Sequence, residues 1–260
     1  MQKKHQIMGI LNLTPDSFSD GGEFNKIKLA VNRAKQMQTE GADIIDVGGE
    51  STGPGSKEVS EEEELQRVIP TIIALKKVLK IPISIDSYKS SVVSQSLEAG
   101  VDMVNDISAL RFDPDLASLI AKSDCKLVMM YSKDDSARTT IEAHEYQDVI
   151  SHIKDFFTER LNFAEKNGIS RDRIIIDPGM GQFISNNSRH SFEIIERLAE
   201  LKSLGQEILL GISRKSFLGG KMEDRDKKAL PFTSIAYING ASIIRTHDVK
   251  GIKELHKTLS

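Results

Sequence analysis

A chain of 260 residues with 39% apolar and 28% charged positions can bury one large core and reads as globular, within the size range of a single barrel. Its formal charge of −3 gives no global attraction to nucleic acid or to an anionic membrane, so any anion site must be built locally. One cysteine, Cys125, excludes an internal disulfide and a cysteine-built metal cluster, and no window approaches the ~18 apolar residues of a membrane span.

The N-terminus carries Lys3 and Lys4, then only a short apolar stretch before Asn12 and Pro15. That stretch is too short for a secretory core, so a cytoplasmic location is expected. Eight short aliphatic runs then recur in chain order: Ile7–Leu11, Ile44–Val47, Ile83–Ile85, Met103–Val104, Leu127–Met130, Ile174–Ile176, Ile208–Leu210 and Ile243–Ile244. None alternates with polar residues, as expected for strands buried on both faces. Helical patterns lie between them. Ser60 followed by Glu63 predicts a capping box, ahead of Leu65, Val68, Ile69, Ile72, Ile73 and Leu75 at helical spacing. Gly41, Gly100, Gly168 and Gly205 stand where helix C-cap glycines belong. Cys125 opens an apolar run and is expected to be a small core residue.

Eight strand–helix units without a linker predict one α/β domain over 1–260, a parallel (β/α)8 TIM barrel; a doubly wound open sheet is the alternative by periodicity alone. The least regular stretches are Thr14–Asn25, Gly53–Glu58, Ser132–Thr140, Gln182–Ser188 and Gly219–Pro231. All but the last follow a strand, where barrel enzymes carry their active-site loops.

The polar residues after each run are Asn12; Asp46 with Glu50; Asp86; Asn105 with Asp106; Tyr131; Asp177; Ser213, Arg214 and Lys215; and Arg245, His247 and Asp248. In a barrel all of them converge on one rim. Asp86, Asn105 and Asp177 are short acceptors that suit a planar heterocycle with ring N–H and amino groups. Lys215, Arg245 and His247 suit a phosphate or pyrophosphate. Asn12 offers a neutral oxygen to a Mg²⁺ ion that keeps most of its waters. No Ser/His/Asp triad pattern and no His/Cys metal spacing stands out. His144, His152, His190 and His256 are expected to be solvated.

Seven stretches carry a resemblance: Met8–Gly22 (MGILNLTPDSFSDGG), Gly41–Thr52 (GADIIDVGGEST), Ser84–Ser87 (SIDS), Val104–Ile107 (VNDI), Asp177–Gly181 (DPGMG), Ser213–Ser216 (SRKS) and Ile244–Val249 (IRTHDV). In type and order they resemble the dihydropteroate synthase family over nearly the whole chain. That resemblance implies condensation of 6-hydroxymethyl-7,8-dihydropterin pyrophosphate with p-aminobenzoate, giving 7,8-dihydropteroate and pyrophosphate. It implies that Asp86, Asn105, Asp177 and Lys215 hold the pterin and that Asn12, Arg245 and His247 bind pyrophosphate. Asp86, Lys215 and Asn12 would be the catalytic set, with Mg²⁺ as cofactor near Asn12. Thr52, Gly53, Pro54, Gln182 and Ser213 would face p-aminobenzoate. The partners implied are these small molecules and a second copy in a homodimer, with no nucleic acid and no membrane.

Four departures accompany the resemblance. Gly53 stands before Pro54 where the family usually has Arg. Met130-Tyr131-Ser132 replaces Met-His-Met, and Gly181-Gln182-Phe183-Ile184 replaces Gly-Phe-Gly-Lys. The segment Thr233–Gly240 is about four residues short, roughly one helical turn. The first three imply a remodelled aminobenzoate side, similar to sulfonamide-insensitive members. Two other readings stand beside the synthase. One is a non-catalytic pterin-binding homologue, which the missing Arg favours. The other is a pterin-dependent methyltransferase, which the anion-binding set disfavours.

Overall fold

The computed structural model describes residues 5–14 and 23–259. Of the loop expected at Thr14–Asn25, residues 15–22 lie outside the described residues. The strands are β1 (Gln6–Asn12), β2 (Ile44–Gly48), β3 (Ile83–Asp86), β4 (Met103–Asp106), β5 (Lys126–Met130), β6 (Ile174–Asp177), β7 (Glu207–Leu210) and β8 (Ile243–Thr246). The helices are α1 (Glu23–Glu40), α2 (Glu61–Lys76), α3 (Ser90–Glu98), α4 (Leu116–Ala121), α5 (Val149–Lys166), α6 (Ser188–Glu196), α7 (Met222–Asn239) and α8 (Val249–Leu259). All eight sequence runs become strands in parallel order. β1 pairs with β8, where Met8 stands beside Arg245. That pairing closes the barrel and excludes the open sheet. No helix among the described residues is long and apolar enough to cross a membrane.

The strands serve two cores at once. Outward residues such as Ile45, Val47, Ile85, Leu127, Ile176 and Leu210 pack with the helices. Inward ones, Met8, Ile44, Met103, Val128, Ile175, Leu209 and Ile243, form a separate apolar plug. Side chains two apart share a face of a strand. One pleat above the plug therefore come Ile10, Asp46, Asp86, Asn105, Met130, Asp177, Gly211 and Arg245. The barrel axis changes from apolar to polar in one step, and that step is the floor of the site.

The four expected C-cap glycines all adopt positive φ, between 78° and 108°. Ser60 caps α2 by accepting from the Glu63 N–H at 3.2 Å. The reciprocal half of the capping box is not formed, because the Glu63 carboxylate pairs with Arg67 one turn on. Val68, Ile72 and Leu75 are buried, whereas Ile73 is exposed. The stretch Gly219–Pro231 is not a loop as expected: α7 starts at Met222. Its first turns are charged and lack an apolar stripe, which hides the helix from periodicity. Cys125 is buried as expected.

Gly179 carries a local demand that no other residue type meets. Its φ is +72°, and a Cβ there would lie 2.4 Å from the Tyr131 carbonyl oxygen. Its N–H donates to Asp177 Oδ1 at 2.8 Å. Gly179→Ala should cost about 1–3 kcal/mol from backbone strain alone, read as a lower urea midpoint. An unchanged midpoint would show that the Asp177 turn yields freely.

Candidate active site

A cavity of ≈ 230 Å³ opens at the C-terminal end of the barrel, lined by Ile10, Thr52, Asp86, Asn105, Ile107, Met130, Asp177, Met180, Phe183, Gly211, Ser213, Lys215, Arg245 and His247. Among the residues expected at the site, it brings together Thr52, Asp86, Asn105, Asp177, Ser213, Lys215, Arg245 and His247. Asn12 lies in an adjoining groove with Asn32, Arg33 and Arg214, and His247 borders both spaces. Gly53, Pro54 and Gln182 do not line the cavity. Gln182 turns to Ser216, its Nε2 3.4 Å from the hydroxyl. Phe183 stands in the wall instead, with Lys215 Nζ 4.6 Å from its ring centre. The aromatic missing at 182 is thus supplied one position later.

Several rim residues turn away from the cavity because they hold the fold. Asp106 accepts from the Ser108 and Leu110 N–H groups at 2.7 and 2.6 Å. Asp248 accepts from the Gly251 N–H at the head of α8 at 2.9 Å. Tyr131 is buried outside the barrel, its hydroxyl 3.0 Å from that of Tyr146. Glu50 pairs with Lys89 at 2.7 Å. His190, expected to be solvated, is 4% exposed and lies 3.1 Å from Glu145. Its helix turns it toward Tyr146, with ring centres 5.0 Å apart.

The floor is a charge network. Arg245 donates through Nε to Asp46 at 2.6 Å and through Nη2 to Asp86 at 2.5 Å. Asn105 Nδ2 also donates to Asp46, at 3.0 Å, which leaves its carbonyl oxygen free to accept. Burial pushes the Asp86 carboxyl up to about 7, against the pull of Arg245. Burial also lifts Asp177 to about 6, opposed by the Gly179 N–H and Lys215. Lys215 is pushed down to about 8 by burial, with Asp177 opposing. Burial also works against the charge on Arg245, yet Asp46 and Asp86 hold it above its ordinary range. Each charged group is therefore poorly solvated and held by a few protein partners. Opposite charge that develops in such a site is stabilised strongly.

Ser213, His247 and Asp226 form a chain that sequence inspection missed, because Asp226 lies on the unrecognised start of α7. The Ser213 hydroxyl donates to Asp226 Oδ1 at 2.6 Å. It accepts from the His247 N–H at 3.2 Å and faces His247 Nδ1 at 2.9 Å. A hydroxyl has one proton and two lone pairs. The proton goes to Asp226, so Nδ1 must carry the hydrogen and Nε2 faces outward as a lone pair. Serine is the central link here, so this is no activated nucleophile. Its hydroxyl is saturated by the protein and orients the imidazole.

Burial, Arg214 and Arg245 push His247 down to about 3. A proton NMR titration of the free protein should find this ring neutral at pH 5. The sign follows from linkage: a depressed histidine contributes stability above its unfolded value of 6.5, and loses it as pH falls toward 3. A ring titrating between pH 6 and 7 would show that burial and the two arginines do not suppress its charge.

Comparison with known proteins fits this geometry. The pterin binding enzyme family profile matches residues 8–247. A dihydropteroate synthase from Synechocystis is 41% identical over 260 residues, covering 98% of this chain and 89% of that protein. A dihydropteroate synthase from Clostridium difficile, solved in the presence of pteroic acid, superposes with a TM-score of 0.90 at 42% identity, covering 98% of this chain and 95% of that one. The Xanthomonas albilineans dihydropteroate synthase with 4-aminobenzoic acid gives 0.91 at 36% identity, covering 98% and 92%. An acceptor-lined floor, a cationic wall and a match across the whole barrel converge, and the chain belongs to the dihydropteroate synthase family of pterin-binding enzymes.

Proposed function

We propose that the cavity is where a pterin pyrophosphate reacts with p-aminobenzoate to give 7,8-dihydropteroate, a step of folate biosynthesis. The observation that carries this reading is the grouping of Asp86, Asn105 and Asp177 with Lys215 and Arg245 in one buried space. The first three accept from the ring N–H and amino groups of the pterin. Lys215 and Arg245 supply the positive charge on the side where the pyrophosphate leaves, whereas His247, neutral with its Nε2 lone pair outward, offers that anion no donor in the free protein. The bond from the pterin methylene carbon to the pyrophosphate oxygen breaks, and its electron pair stays on oxygen. The carbon becomes cationic, and the Asp86 carboxylate stabilises it. The lone pair of the arylamine forms the new C–N bond, and its proton passes to solvent or to the departing pyrophosphate. Positioning of a neutral amine matters more here than a strong base.

The cavity accommodates one flat heterocycle, so the second substrate belongs at its mouth. Thr52, Met180 and Phe183 stand on that side, with Gly53 and Pro54 in the loop above. The relative solved with 4-aminobenzoic acid supports the identity of this second substrate. The finer reading is a remodelled, sulfonamide-insensitive amine side, supported by Gly53 in place of arginine. A family-typical aminobenzoate KM together with ordinary sulfamethoxazole inhibition would sink it.

A Mg²⁺ ion would lie beside Asn12, whose side-chain oxygen is the neutral donor offered to it. A Cβ on Gly48 would lie 3.8 Å from Asn12 Oδ1 and 3.7 Å from Asp86 Oδ2, so both oxygens flank the same bare backbone. Among the described residues no group of three His, Cys, Asp or Glu could hold a metal. The ion would therefore take one protein oxygen and fill its shell from phosphate and water. When bound it neutralises charge on the leaving pyrophosphate. A homodimer is supported by exposed Ile235 and Ile238 on α7 and Leu259 on α8. One buried, unpaired cysteine accords with the cytoplasm.

The test mixes purified protein with the pterin pyrophosphate, Mg²⁺ and p-aminobenzoate, and follows pyrophosphate and dihydropteroate together. Stoichiometric appearance of both is expected. Pterin binding without pyrophosphate release would favour the non-catalytic homologue and overturn the reading.

A further inference from the structure

Thr52 and Phe183 both line the cavity, although they follow different, non-adjacent strands, β2 and β6. The segment 132–140, after β5, ties both backbones. The Thr139 N–H donates to the Thr52 carbonyl at 3.3 Å, and the Lys133 N–H donates to the Phe183 carbonyl at 2.9 Å. The Thr139 hydroxyl also lies 2.8 Å from the Gln182 carbonyl. The segment is itself cross-linked. The Lys133 side chain is 3% exposed, and its Nζ donates to Asp134 at 2.6 Å and to the Thr140 carbonyl at 3.0 Å.

Arg138 carries the tie further. Its guanidinium donates through Nε to the Ser56 carbonyl at 3.3 Å and through Nη2 to the Lys57 carbonyl at 3.1 Å. The same Nη2 pairs with the Glu50 carboxylate, which is 3% exposed. The loop that it grips reads Gly53-Pro54-Gly55-Ser56. Two glycines around a proline leave little side chain to fix that backbone, and glycine loses the most freedom on ordering. Ser56 closes the turn on itself, its N–H and hydroxyl donating to the Gly53 carbonyl at 3.1 and 2.7 Å, and Arg138 with Thr139 ties that turn to the barrel. A cation on β5's loop thus acts on the loop that lacks arginine at 53.

We propose that Arg138 is a positioning residue for the second substrate, and that segment 132–140 is the fixed wall that holds Thr52 and the 53–58 loop at the cavity mouth. The inference rests on the reading that the arylamine binds on the Thr52–Phe183 side. Arg138 touches no substrate in this scheme; it sets where the loop lies.

The test compares wild type, Arg138→Ala and Arg138→Lys as whole proteins. Each substrate is varied separately, and amide hydrogen exchange of residues 52–58 is measured without substrate. Arg138→Ala should raise the arylamine KM about tenfold, and leave the pterin pyrophosphate KM and kcat within about threefold. Exchange at 52–58 should speed up. Lysine should restore only part, since it can serve Glu50 but cannot hold both carbonyls in a planar fork. An equal rise in both KM values, or faster exchange with an unchanged arylamine KM, overturns the proposal. If Arg138→Ala does not fold, Arg138→Gln is read the same way. If wild type makes no dihydropteroate, the assigned reaction falls. Exchange then still decides the positioning role, and equal exchange in variant and wild type overturns it.

Discussion

Asp86→Asn should lower kcat by about 10²–10³-fold while the pterin pyrophosphate still binds. The substitution nearly keeps the shape, exchanges one acceptor oxygen for an amino donor, and removes one of the two carboxylates that line the cavity. Steady-state turnover with both substrates saturating is the measurement, and a loss below about fivefold would remove Asp86 from the chemistry. The pH profile gives an independent check. Turnover needs the carboxylate, so kcat/KM for the pterin should fall as pH drops through about 7, where burial holds Asp86. It should also fall above about 8, where Lys215 loses its proton. In Asp86→Asn the acid limb near 7 should vanish.

Stability should move the other way. A carboxyl raised in the folded state contributes stability that is complete below its unfolded value of 3.8 and lost as pH rises through 7. At pH 8 the folded protein therefore carries a charge it holds poorly. Neutral Asn removes that burden, and Arg245 keeps Asp46 as a partner. The denaturation midpoint of Asp86→Asn at pH 8 should not lie below that of wild type. A clearly lower midpoint would mean that the Asp86–Arg245 pair holds the barrel together.

Lys89→Met should cost about 3–5 kcal/mol of stability. Lys89 Nζ donates to Glu50 and Glu64, each at 2.7 Å, and to the Val59 carbonyl at 2.6 Å. An ammonium has three donors, and all three are used. The lysine is 8% exposed and its two carboxylate partners 3% and 1%. Methionine keeps most of the apolar stem, so the loss reports the ammonium together with its three hydrogen bonds. Removal would strand Glu64 without a cation, and would leave Glu50 with Arg138 alone. Equilibrium urea unfolding measures it, and a loss under about 1 kcal/mol would show that the buried chain is dispensable. Adding Glu64→Gln to Lys89→Met should recover part of the loss, because it deletes one of the stranded charges.

Much of this molecule is legible in its sequence. The eight strands stood out because each is a short aliphatic run, buried on one face by the plug and on the other by helices. The cavity floor was legible at Asp86, Asn105, Asp177 and Arg245 because polar groups follow apolar runs there at the strand ends. Met130 and Gly211 obey the same two-residue parity and could have been found by counting pleats from Val128 and Leu209. Phe183 and Met180 could not, since they sit on a turn whose direction is set by Gly179 and the Tyr131 carbonyl. Asp226 was hidden because the charged start of α7 shows no apolar stripe.

What the sequence determined by itself is the barrel, its polar rim and the family, since these follow from local periodicity and from residues matched in order. Only the tertiary structure decided which rim residues face the cavity. Asp106, Asp248 and Tyr131 look as functional as Asp86 in the sequence, yet they close turns or pack outside the barrel. Strand parity, loop direction and long-range partners make that division, and a partner such as Arg138 for Glu50 lies 88 residues away. Contacts at that separation are set by how the barrel closes, and no local pattern records them.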